Sequence, residues 1–400
     1  MSVYLYIWRF LASKCISEVK HLNNLQKHLD KLLNYSICFV EKISVLEEKQ
    51  ITAVVQREIT LCDCAALFTK EKIQTISAQR VSTGFPQLDE MLHGGLTNGL
   101  YVLGAVPGLG KSTLALQISH HLSSQGNPVL YFALEMNRAW ITAKLLCLAD
   151  FLRHGNPGFQ ASDLLDIRRS AQFSDAVWQR IDEARETLEQ QGSHLYLYEQ
   201  GPELTHIGQI RQQISAFRKT HQQQYGGRPL TVVIDYLQIL APRDPSLRAS
   251  DKQIVDDNVR ELCRIRDQER VIVLLISALN RISYHRAITL DSFKESGSIE
   301  YSADVILGMQ YKGIEKKGFS LETAKRSTPR TLELTLLKMR YGQDGIRLPL
   351  HFYNESSCFR QTDGEESGDQ RRLQELRRQF AACPVQYHDG FHQKARRIRG

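Results

Sequence analysis

The residues Leu100-Tyr-Val-Leu-Gly-Ala-Val-Pro-Gly-Leu-Gly-Lys-Ser-Thr-Leu-Ala-Leu116 combine a short apolar run, a glycine-rich turn and an apolar pattern at helical spacing. The run ends at Gly104, which is typical of a buried strand. The helical pattern begins after Lys111 and Ser112. A strand, a glycine turn and a helix in this order form the context that a phosphate-binding loop requires, so the sequence predicts such a loop here.

Glycines in such a loop let backbone N–H groups point at phosphate oxygens, and the helix N-terminus favours negative charge. Lys111 is expected to reach the β- and γ-phosphates of ATP, and the Ser112 hydroxyl to take one position on Mg²⁺. Ala105 stands where the usual pattern has its first glycine. The predicted nucleotide contacts in this stretch are Ala105, Pro107, Gly108, Gly110, Lys111, Ser112 and Thr113. The alternative is a tight turn that binds nothing.

Apolar runs alternate with helical patterns beyond the loop, which predicts a parallel sheet with helices on both faces. The further strands are expected at Pro128–Leu134, Leu195–Tyr198, Leu230–Asp235, Val271–Ile276, Asp304–Tyr311 and Thr331–Leu337. Between them, residues 154–173 are expected to form a polar connection and residues 312–330 a mobile loop. Because Pro349 lies inside the last strand-like run, 347–353, that run is predicted to be an edge strand.

Two carboxylates are expected beside the phosphate loop, because ligands of parallel sheets bind where the strands end. Asp235 closes an apolar run and can hold Mg²⁺ opposite Ser112, as a Walker B aspartate does. Glu135 ends the strand that follows the loop and can orient and deprotonate an attacking water. The alternatives are that Asp235 starts a turn and that Glu135 caps the next helix.

Seven motifs in a fixed order resemble DnaB-type replicative helicases over roughly residues 80–360. They are Ser82-Thr-Gly-Phe85, Ala105–Ser112, Ala133-Leu-Glu-Met136, Ile234-Asp-Tyr-Leu-Gln238, Leu279-Asn-Arg281, Lys294-Glu-Ser-Gly-Ser-Ile-Glu300 with Ala303-Asp304, and Lys338-Met-Arg-Tyr-Gly342. More narrowly, the chain is similar to the helicase half of primase–helicase proteins of phages and mobile elements. The resemblance implies an α/β fold with a RecA-like P-loop ATPase core, in which a mainly parallel twisted sheet is flanked by helices. It also implies a hexameric ring that hydrolyses ATP and moves along single-stranded DNA.

The resemblance implies roles for basic residues as well. Lys338 and Arg340 match the pair that family members insert into the nucleotide site of the neighbouring subunit; on sequence alone they could be a basic strand end. An arginine supplied in trans would neutralise transition-state charge, so these two residues join Lys111 and Glu135 as expected catalytic residues. The expected DNA contacts are Arg243, Arg248, Lys252, Arg281, Arg286 and Lys294. These residues lie in the predicted loops after Asp235 and after Asn280, which would contact DNA phosphates without reading the base sequence.

Composition limits the remaining function classes. The chain has 400 residues with 42% hydrophobic and 24% charged content, which is ordinary for a globular protein with a large core. No apolar run reaches the roughly 20 residues that a membrane span needs, and Arg9 interrupts the apolar start, so neither a span nor a secretory signal is expected. Eight scattered cysteines indicate a reduced, cytoplasmic protein. Cys62 and Cys64 lack a second pair at zinc-site spacing, which argues against a metal site there.

Three domains are expected: a helical N-terminal segment at 1–80, the ATPase domain at 81–362 and a basic tail at 363–400. The first segment lacks glycine and proline, and its leucines, Leu22 to Leu33, recur at helical spacing. It could be a linker bundle that needs a partner or a self-contained cap. Most of the net charge of +7 lies in the tail, which could bind nucleic acid or acidic partners or be a disordered solubilising extension.

The sequence therefore predicts an ATP-dependent DNA helicase of the DnaB-like class, active in DNA replication as an oligomer of identical subunits. A primase or another replication protein is a further expected partner. Ala278 stands where many family members carry glutamine or histidine. That departure keeps open a RecA- or recombinase-like ATPase that binds DNA without unwinding it. A degenerate ATP-binding loader or scaffold is the third alternative, which the intact Lys111, Glu135 and Asp235 disfavour.

Overall fold

The computed structural model describes residues 60–65, 69–71, 79–201, 206–242, 249–280, 286–293 and 296–362. Its strands are β1 Gly99–Ala105, β2 Val129–Ala133, β3 Leu195–Glu199, β4 Thr231–Asp235, β5 Ile272–Ala278, β6 Val305–Tyr311, β7 Arg330–Met339, β8 Arg347–Tyr353 and β9 Cys358–Gln361. Its helices are α1 Leu61–Ala65, α2 Pro86–Met91, α3 Lys111–Ser124, α4 Arg138–His154, α5 Ala161–Leu164, α6 Ile167–Ser170, α7 Asp175–Gln191, α8 Ile207–Tyr225, α9 Asp251–Glu269, α10 Ser296–Ser302 and α11 Leu321–Arg326.

The nine strands form one sheet in the order β3-β2-β4-β5-β1-β6-β7-β8-β9. The strands from β3 to β6 in this order are parallel to one another. The strands β7, β8 and β9 then continue the sheet in antiparallel fashion. The sheet is therefore mainly parallel, as predicted, and β1 lies near its centre with its carboxyl end leading directly into the phosphate loop.

The side chains of the central strand alternate between two apolar layers, as the two-residue period of a strand dictates. Tyr101 and Leu103 pack in the layer that contains apolar residues of α3 and α4. Leu100 and Val102 pack in the opposite layer, against residues of α8 and α9. All seven residues of β1 are buried. Burial on both faces explains why the strand reads as a continuous apolar run.

The predicted edge position of the strand around Pro349 is wrong. β8 lies between β7 and β9 in the sheet. The pairing of β8 with β9 begins at Leu350 and runs to Tyr353, so Pro349 stands one residue outside that ladder, while it lies opposite Glu333 of β7. A proline lacks an N–H to donate, and this position tolerates it because the ladder of the outer strand has already ended.

Two segments that read as irregular contain short helices. Residues 312–330, expected to be a mobile loop, include α11, whose N-cap Ser320 accepts a hydrogen bond from the backbone N–H of Thr323. Leu321 and Ala324 of this helix pack against the core. Residues 154–173, expected to be a polar connection, include α5 and α6. Packing of single apolar side chains, which a short pattern does not reveal, decides both cases.

The predicted N-terminal segment is represented by α1 and its neighbouring described residues, and the basic tail lies outside the described residues. Within the described part of the chain, no helix has the length and apolar character needed to cross a membrane. The described cysteines Cys62, Cys147, Cys263 and Cys358 are free thiols. No cluster of three metal-binding side chains occurs among the described residues.

Candidate active site

The phosphate loop connects β1 to α3 through two glycines in the left-handed region of backbone conformation. Gly108 has φ of 80° and Gly110, the N-cap of α3, has φ of 85°. Residues with a Cβ adopt these angles only at a cost, so the glycines are what allow the turn. Lys111, the first helical residue, folds back over the turn and donates a hydrogen bond from Nζ to the carbonyl oxygen of Ala105 at 3.1 Å. The lysine head group is thereby held above the loop.

Residues of the antiparallel strands β7, β8 and β9 support the phosphate loop. A Cβ on Gly110 would lie 2.8 Å from Phe352 and 2.9 Å from Phe359, two rings that stack with their centroids 4.3 Å apart. The Arg330 guanidinium, on β7, donates to the carbonyl oxygen of Gly108 at 2.9 Å. The Gln117 side chain of α3 exchanges two hydrogen bonds with the backbone of Phe359, at 2.7 and 2.9 Å. The loop geometry thus depends on residues far away in sequence.

A cavity of about 350 Å³ opens above the loop. It is lined by Pro107, Gly108, Gly110, Lys111, Ser112, Thr113, Glu135, Met136, Lys144, Asp235, Tyr236 and Ala278. Apart from Ala105, whose carbonyl oxygen binds Lys111, every nucleotide contact predicted from the phosphate loop lines it, together with both predicted carboxylates. The fold therefore brings together residues from four strand ends, those of β1, β2, β4 and β5, and from the two helices α3 and α4.

Asp235 is a buried carboxylate with one unused oxygen. The Tyr131 hydroxyl, on the neighbouring strand β2, donates to Oδ2 at 2.8 Å. Among the described residues, Oδ1 is buried and has no hydrogen-bond partner. Burial raises the pKa of Asp235, while the hydroxyls of Ser112 and Tyr131 act in the opposite direction. A buried acceptor that faces a hydroxyl is an oxygen ligand pair of the kind that Mg²⁺ prefers, so Ser112 and Asp235 fit this ion.

Glu135 and Lys111 differ in their exposure. Glu135 follows β2 after Leu134 and is exposed at the cavity rim. Burial lowers the pKa of Lys111, and the nearby carboxylates Asp235 and Glu135 oppose that shift. A bound polyphosphate would act on the pKa in the same direction as these carboxylates, because negative charge nearby favours the charged form of a lysine. The rim position leaves the Glu135 carboxylate accessible to a water molecule in the cavity.

Lys144 is a lining residue that the sequence interpretation missed. It lies on α4 and donates from Nζ to the Thr113 hydroxyl at 3.3 Å. Burial lowers the pKa of Lys144. Ile141, Leu145 and Leu148 of the same helix are buried, and Lys144 falls within the helical stripe that they form. A lysine inside a buried stripe was the available signal.

Lys338 and Arg340 lie at the end of the strands that is opposite to the phosphate loop. Ala105 is level with Met309 of β6, which pairs with Leu334 of β7, whereas Lys338 pairs with Ile306 nearer the start of β6. The backbone N–H of Arg340 donates to the carbonyl oxygen of Asp304, five strand positions before the end of β1, or roughly 16 Å away at the rise of a strand. An arginine side chain does not span that distance within its own chain.

Both basic side chains are bound to the C-terminus of α10. Lys338 donates to the carbonyl oxygens of Glu300 and Ala303. Arg340 donates to those of Tyr301 and Ser302 at 3.0 and 3.2 Å. Cations at a helix C-terminus satisfy its unpaired carbonyl groups and complement its dipole. This contact fixes where the end of β7 presents its basic residues.

The predicted DNA-contact residues are only partly placed. Lys252, in the first turn of α9, and Arg286 are both exposed. Arg243, Arg248, Arg281 and Lys294 lie outside the described residues. The structure therefore leaves the predicted set of DNA contacts as a prediction.

Comparison with known proteins shows which family has a sequence similar to this chain. Residues 80–361 match the DnaB-like helicase C terminal domain family. The chain is 30% identical to the replicative DNA helicase DnaB of Leifsonia xyli over 57% of its own length and 46% of that protein's. It is 26% identical to the replicative DNA helicase DnaC of Bacillus subtilis over 80% of its length and 67% of that protein's. The chain thus spans about half the length of the Leifsonia relative.

Two solved structures share the fold. One of them, an ATPase domain, superimposes with a TM-score of 0.62 at 23% identity, covering 77% of this chain and all of that domain. The structure of a DnaB-like replicative helicase and its interactions with primase gives a TM-score of 0.61 at 23% identity, covering 80% of this chain and 71% of that one. Both confirm the predicted RecA-like α/β fold.

Proposed function

The chain belongs to the DnaB-like helicase C terminal domain family, and we propose that it is an ATP-dependent DNA helicase that acts in DNA replication. The observation that carries the proposal is the cavity above the phosphate loop, where Lys111, Ser112, Glu135 and Asp235 meet. A phosphate cradle, a pair of magnesium ligands and a carboxylate at the rim are the parts that nucleotide hydrolysis needs.

In the proposed reaction, the backbone amides of the loop and Lys111 bind the phosphates of ATP. Ser112 and Asp235 would hold Mg²⁺, which when bound supplies charge neutralisation to the phosphate oxygens. Glu135 orients the attacking water and takes its proton from the rim of the cavity. Most of the rate enhancement comes from positioning and charge stabilisation, because phosphoryl transfer needs little covalent help from the protein.

The proposal requires a second copy of the chain. Arg340 and Lys338 lie at the opposite end of the strands from the phosphate loop, too far away to reach the nucleotide of their own chain. In this proposal they act on the nucleotide site of a neighbouring subunit. A head-to-tail arrangement of this kind closes into a ring when its rotation closes, and a hexameric ring is the assembly that we propose. Hydrolysis would then depend on assembly, since each site is completed by its neighbour.

The proposed substrate beyond ATP is single-stranded DNA. Lys252, Arg286 and the basic residues outside the described part of the chain would contact its phosphates, and hydrolysis would drive translocation and strand separation. Non-specific contacts of this type are electrostatic and weaken steeply with salt. The 5′ to 3′ direction and a primase partner, which derive from the family resemblance, complete the proposal. A cytoplasmic location is proposed from the scattered cysteines, which indicate a reduced protein.

The experiment that tests the proposal measures ATP hydrolysis with and without oligo(dT), over a range of protein concentration, for the wild type, Lys111→Ala and Arg340→Ala. The wild-type rate per subunit is expected to rise with concentration and with DNA. Lys111→Ala should abolish it at every concentration. Mixing Arg340→Ala with Lys111→Ala subunits should restore part of the activity, because Lys111→Ala subunits supply the arginine and the Arg340→Ala subunits the intact cavity.

A RecA- or recombinase-like ATPase without unwinding is the second candidate. Ala278 favours it, because this residue lines the cavity at the end of β5 and its methyl group cannot hydrogen-bond to a phosphate. A strand-displacement assay on forked duplex DNA decides between the two. DNA-stimulated hydrolysis without displacement would select the recombinase-like candidate. Hydrolysis that ignores both DNA and Arg340→Ala would reject both.

A further inference from the structure

The side chain of Gln238 joins the segment that follows β4 to the end of β5. Its Oε1 accepts a hydrogen bond from the backbone N–H of Ala278 at 3.0 Å. Its Nε2 donates to the Ser277 hydroxyl at 3.0 Å. Ser277 is fully buried, so both halves of the amide are used against the last two residues of β5. Gln238 itself belongs to the segment that follows β4 and Asp235.

The Gln238 amide lies just beyond the point where the pairing of β4 with β5 ends. The pairing of β4 with β5 ends at Ile234 opposite Leu275, whereas β5 continues to Ala278 beside β1. The short 3₁₀ helix Leu237–Ile239 follows β4. Leu237 anchors this helix in the core with 1% of its surface exposed. The glutamine is thus held at a fixed position, and its side chain replaces the missing ladder hydrogen bonds at the cavity wall.

Each of the two joined segments touches the nucleotide cavity and leads away from it. On one side, Asp235 and Tyr236 line the cavity three and two residues before Gln238. On the other side, Ala278 lines the cavity and Leu279 pairs with Phe293 across the next loop. Asn280 then closes the stem of that loop, since its N–H donates to the carbonyl oxygen of Ser292 at 2.8 Å. The Gln238 side chain therefore connects the Asp235 segment to the start of this stem.

We propose that Gln238 is a positioning residue that transmits the nucleotide state of the cavity to the stem formed by Leu279, Asn280 and residues 286–293. The inference rests on the proposed function for its biological meaning, because Arg286 on this stem is one of the proposed DNA contacts. Gln238 regulates how strongly DNA and nucleotide binding affect each other, and it takes no part in binding ATP itself. The bridge has two hydrogen bonds, so its loss is expected to uncouple the segments without unfolding them.

The test compares backbone amide exchange in the peptide spanning 279–293, with and without magnesium and ATPγS, in the wild type, Gln238→Leu and Gln238→Glu. Leucine keeps the approximate size and removes both hydrogen bonds. Glutamate keeps an acceptor for the Ala278 N–H, and the Ser277 hydroxyl can rotate to donate to it. Gln179→Leu is the matched control, because Gln179 is exposed on α7 and bonds only Glu183 among the described residues.

In the wild type, ATPγS is expected to slow exchange in this peptide at least threefold. Gln238→Leu should lose this response while it binds ATPγS within twofold of the wild type, and Gln238→Glu should retain more than half of it. The stimulation of ATP hydrolysis by oligo(dT) should fall at least fivefold in Gln238→Leu alone. A wild-type peptide that ignores ATPγS, or a leucine variant that responds normally, would overturn the inference.

Two further outcomes separate the inference from the proposed function. If Gln238→Leu loses ATPγS affinity and melting temperature together with the exchange response, Gln238 is structural and the inference is wrong. If the wild type shows no stimulation by DNA yet its exchange response disappears in Gln238→Leu, the link from cavity to stem stands and the proposed helicase function fails.

Discussion

Arg340 Nη1 lies 3.2 Å from Asp304 Oδ1, so the basic residue proposed to act on a neighbouring subunit is held by the carboxylate that precedes β6. The other oxygen, Oδ2, accepts from Arg266 of α9 at 2.8 Å and from the backbone N–H of Leu100 in β1 at 2.8 Å. One carboxylate therefore ties together the start of the central strand, a covering helix and the end of β7.

Replacing Asp304 with asparagine tests this arrangement. The amide oxygen of Asp304→Asn can still accept from Leu100, but the negative charge between the two guanidinium groups is lost. Because the carboxylate and Arg266 are both largely shielded from water, the free energy of unfolding should fall by about 2 kcal/mol. Urea denaturation measures the change. Asp257→Asn, which removes an exposed pair with Arg260, should cost less than about 0.5 kcal/mol; equal losses would contradict the role of Asp304.

Gly110→Ala should destabilise the protein more than a substitution at another left-handed glycine. The new methyl group would meet the rings of Phe352 and Phe359, and φ is 85°. Backbone strain and overpacking together should cost about 3 kcal/mol. Gly155→Ala, at φ of 78° with nothing near its Cβ, carries only the strain, about 1 kcal/mol. Urea denaturation of both variants gives the comparison, and similar values would show that the phenylalanine rings move aside freely.

Lys144→Met should weaken nucleotide binding without weakening the fold. The half-buried ammonium group reaches the cavity and its hydrogen bond goes to the neutral Thr113 hydroxyl, so removing the charge costs no described ion pair. The dissociation constant of a fluorescent ATP analogue should rise about tenfold, the effect of one charge-assisted hydrogen bond. Arg153→Met, at the far end of the same helix and paired with Glu183, is the control. Unchanged affinity with a lower melting temperature would make Lys144 a packing residue instead.

His120 gives a pH dependence of stability with a defined sign. Burial lowers the pKa of His120 to about 4, and its Nε2 has no partner among the described residues. In the unfolded chain the histidine pKa is about 6.5, so below that value the unfolded state binds the extra proton and the folded state loses stability. Between pH 7 and 4.5 this group should cost about 2 kcal/mol.

The variant that checks this effect is His120→Leu, which has a similar size and no titrating group. Its unfolding free energy, measured in urea at pH 7 and 4.5, should fall by about 2 kcal/mol less than that of the wild type over the same interval. Burial also lowers the pKa of the neighbouring His121, with Asp89 acting in the opposite direction, so some pH dependence remains in the variant. Identical losses in both proteins would exclude His120 as the cause.

The local features of the site could be predicted because each is encoded within a few adjacent residues. The phosphate loop requires a strand, glycines and a helix start in one short stretch. The apolar runs before Asp235 and Glu135 predict that both carboxylates stand at strand ends. A parallel sheet brings such ends to one edge, so their convergence with Lys111 followed from topology. The cavity contains all of these residues.

Features that depend on packing between distant segments could not be predicted in this way. Lys144 approaches Thr113 only because α4 packs beside α3, and no local pattern specifies that approach. The inner position of β8 depends on β9, which is only four residues long. The two hydrogen bonds of Gln238 arise where the β4–β5 pairing stops, and the register of two strands decides that point.

The stacked pair Phe352 and Phe359 beneath the phosphate loop has a consequence for biosynthesis. Gln117, near the loop, and its partner Phe359 are 242 residues apart, a distance that a ribosome covers in about 12 to 48 seconds. During that interval the glycine turn has emerged without the strands that hold it. A nascent chain cannot complete the support of its phosphate loop until nearly the whole ATPase domain has been made. A truncated product that ends just before Phe359 therefore has the residues that line the cavity but lacks a strand that supports its phosphate loop.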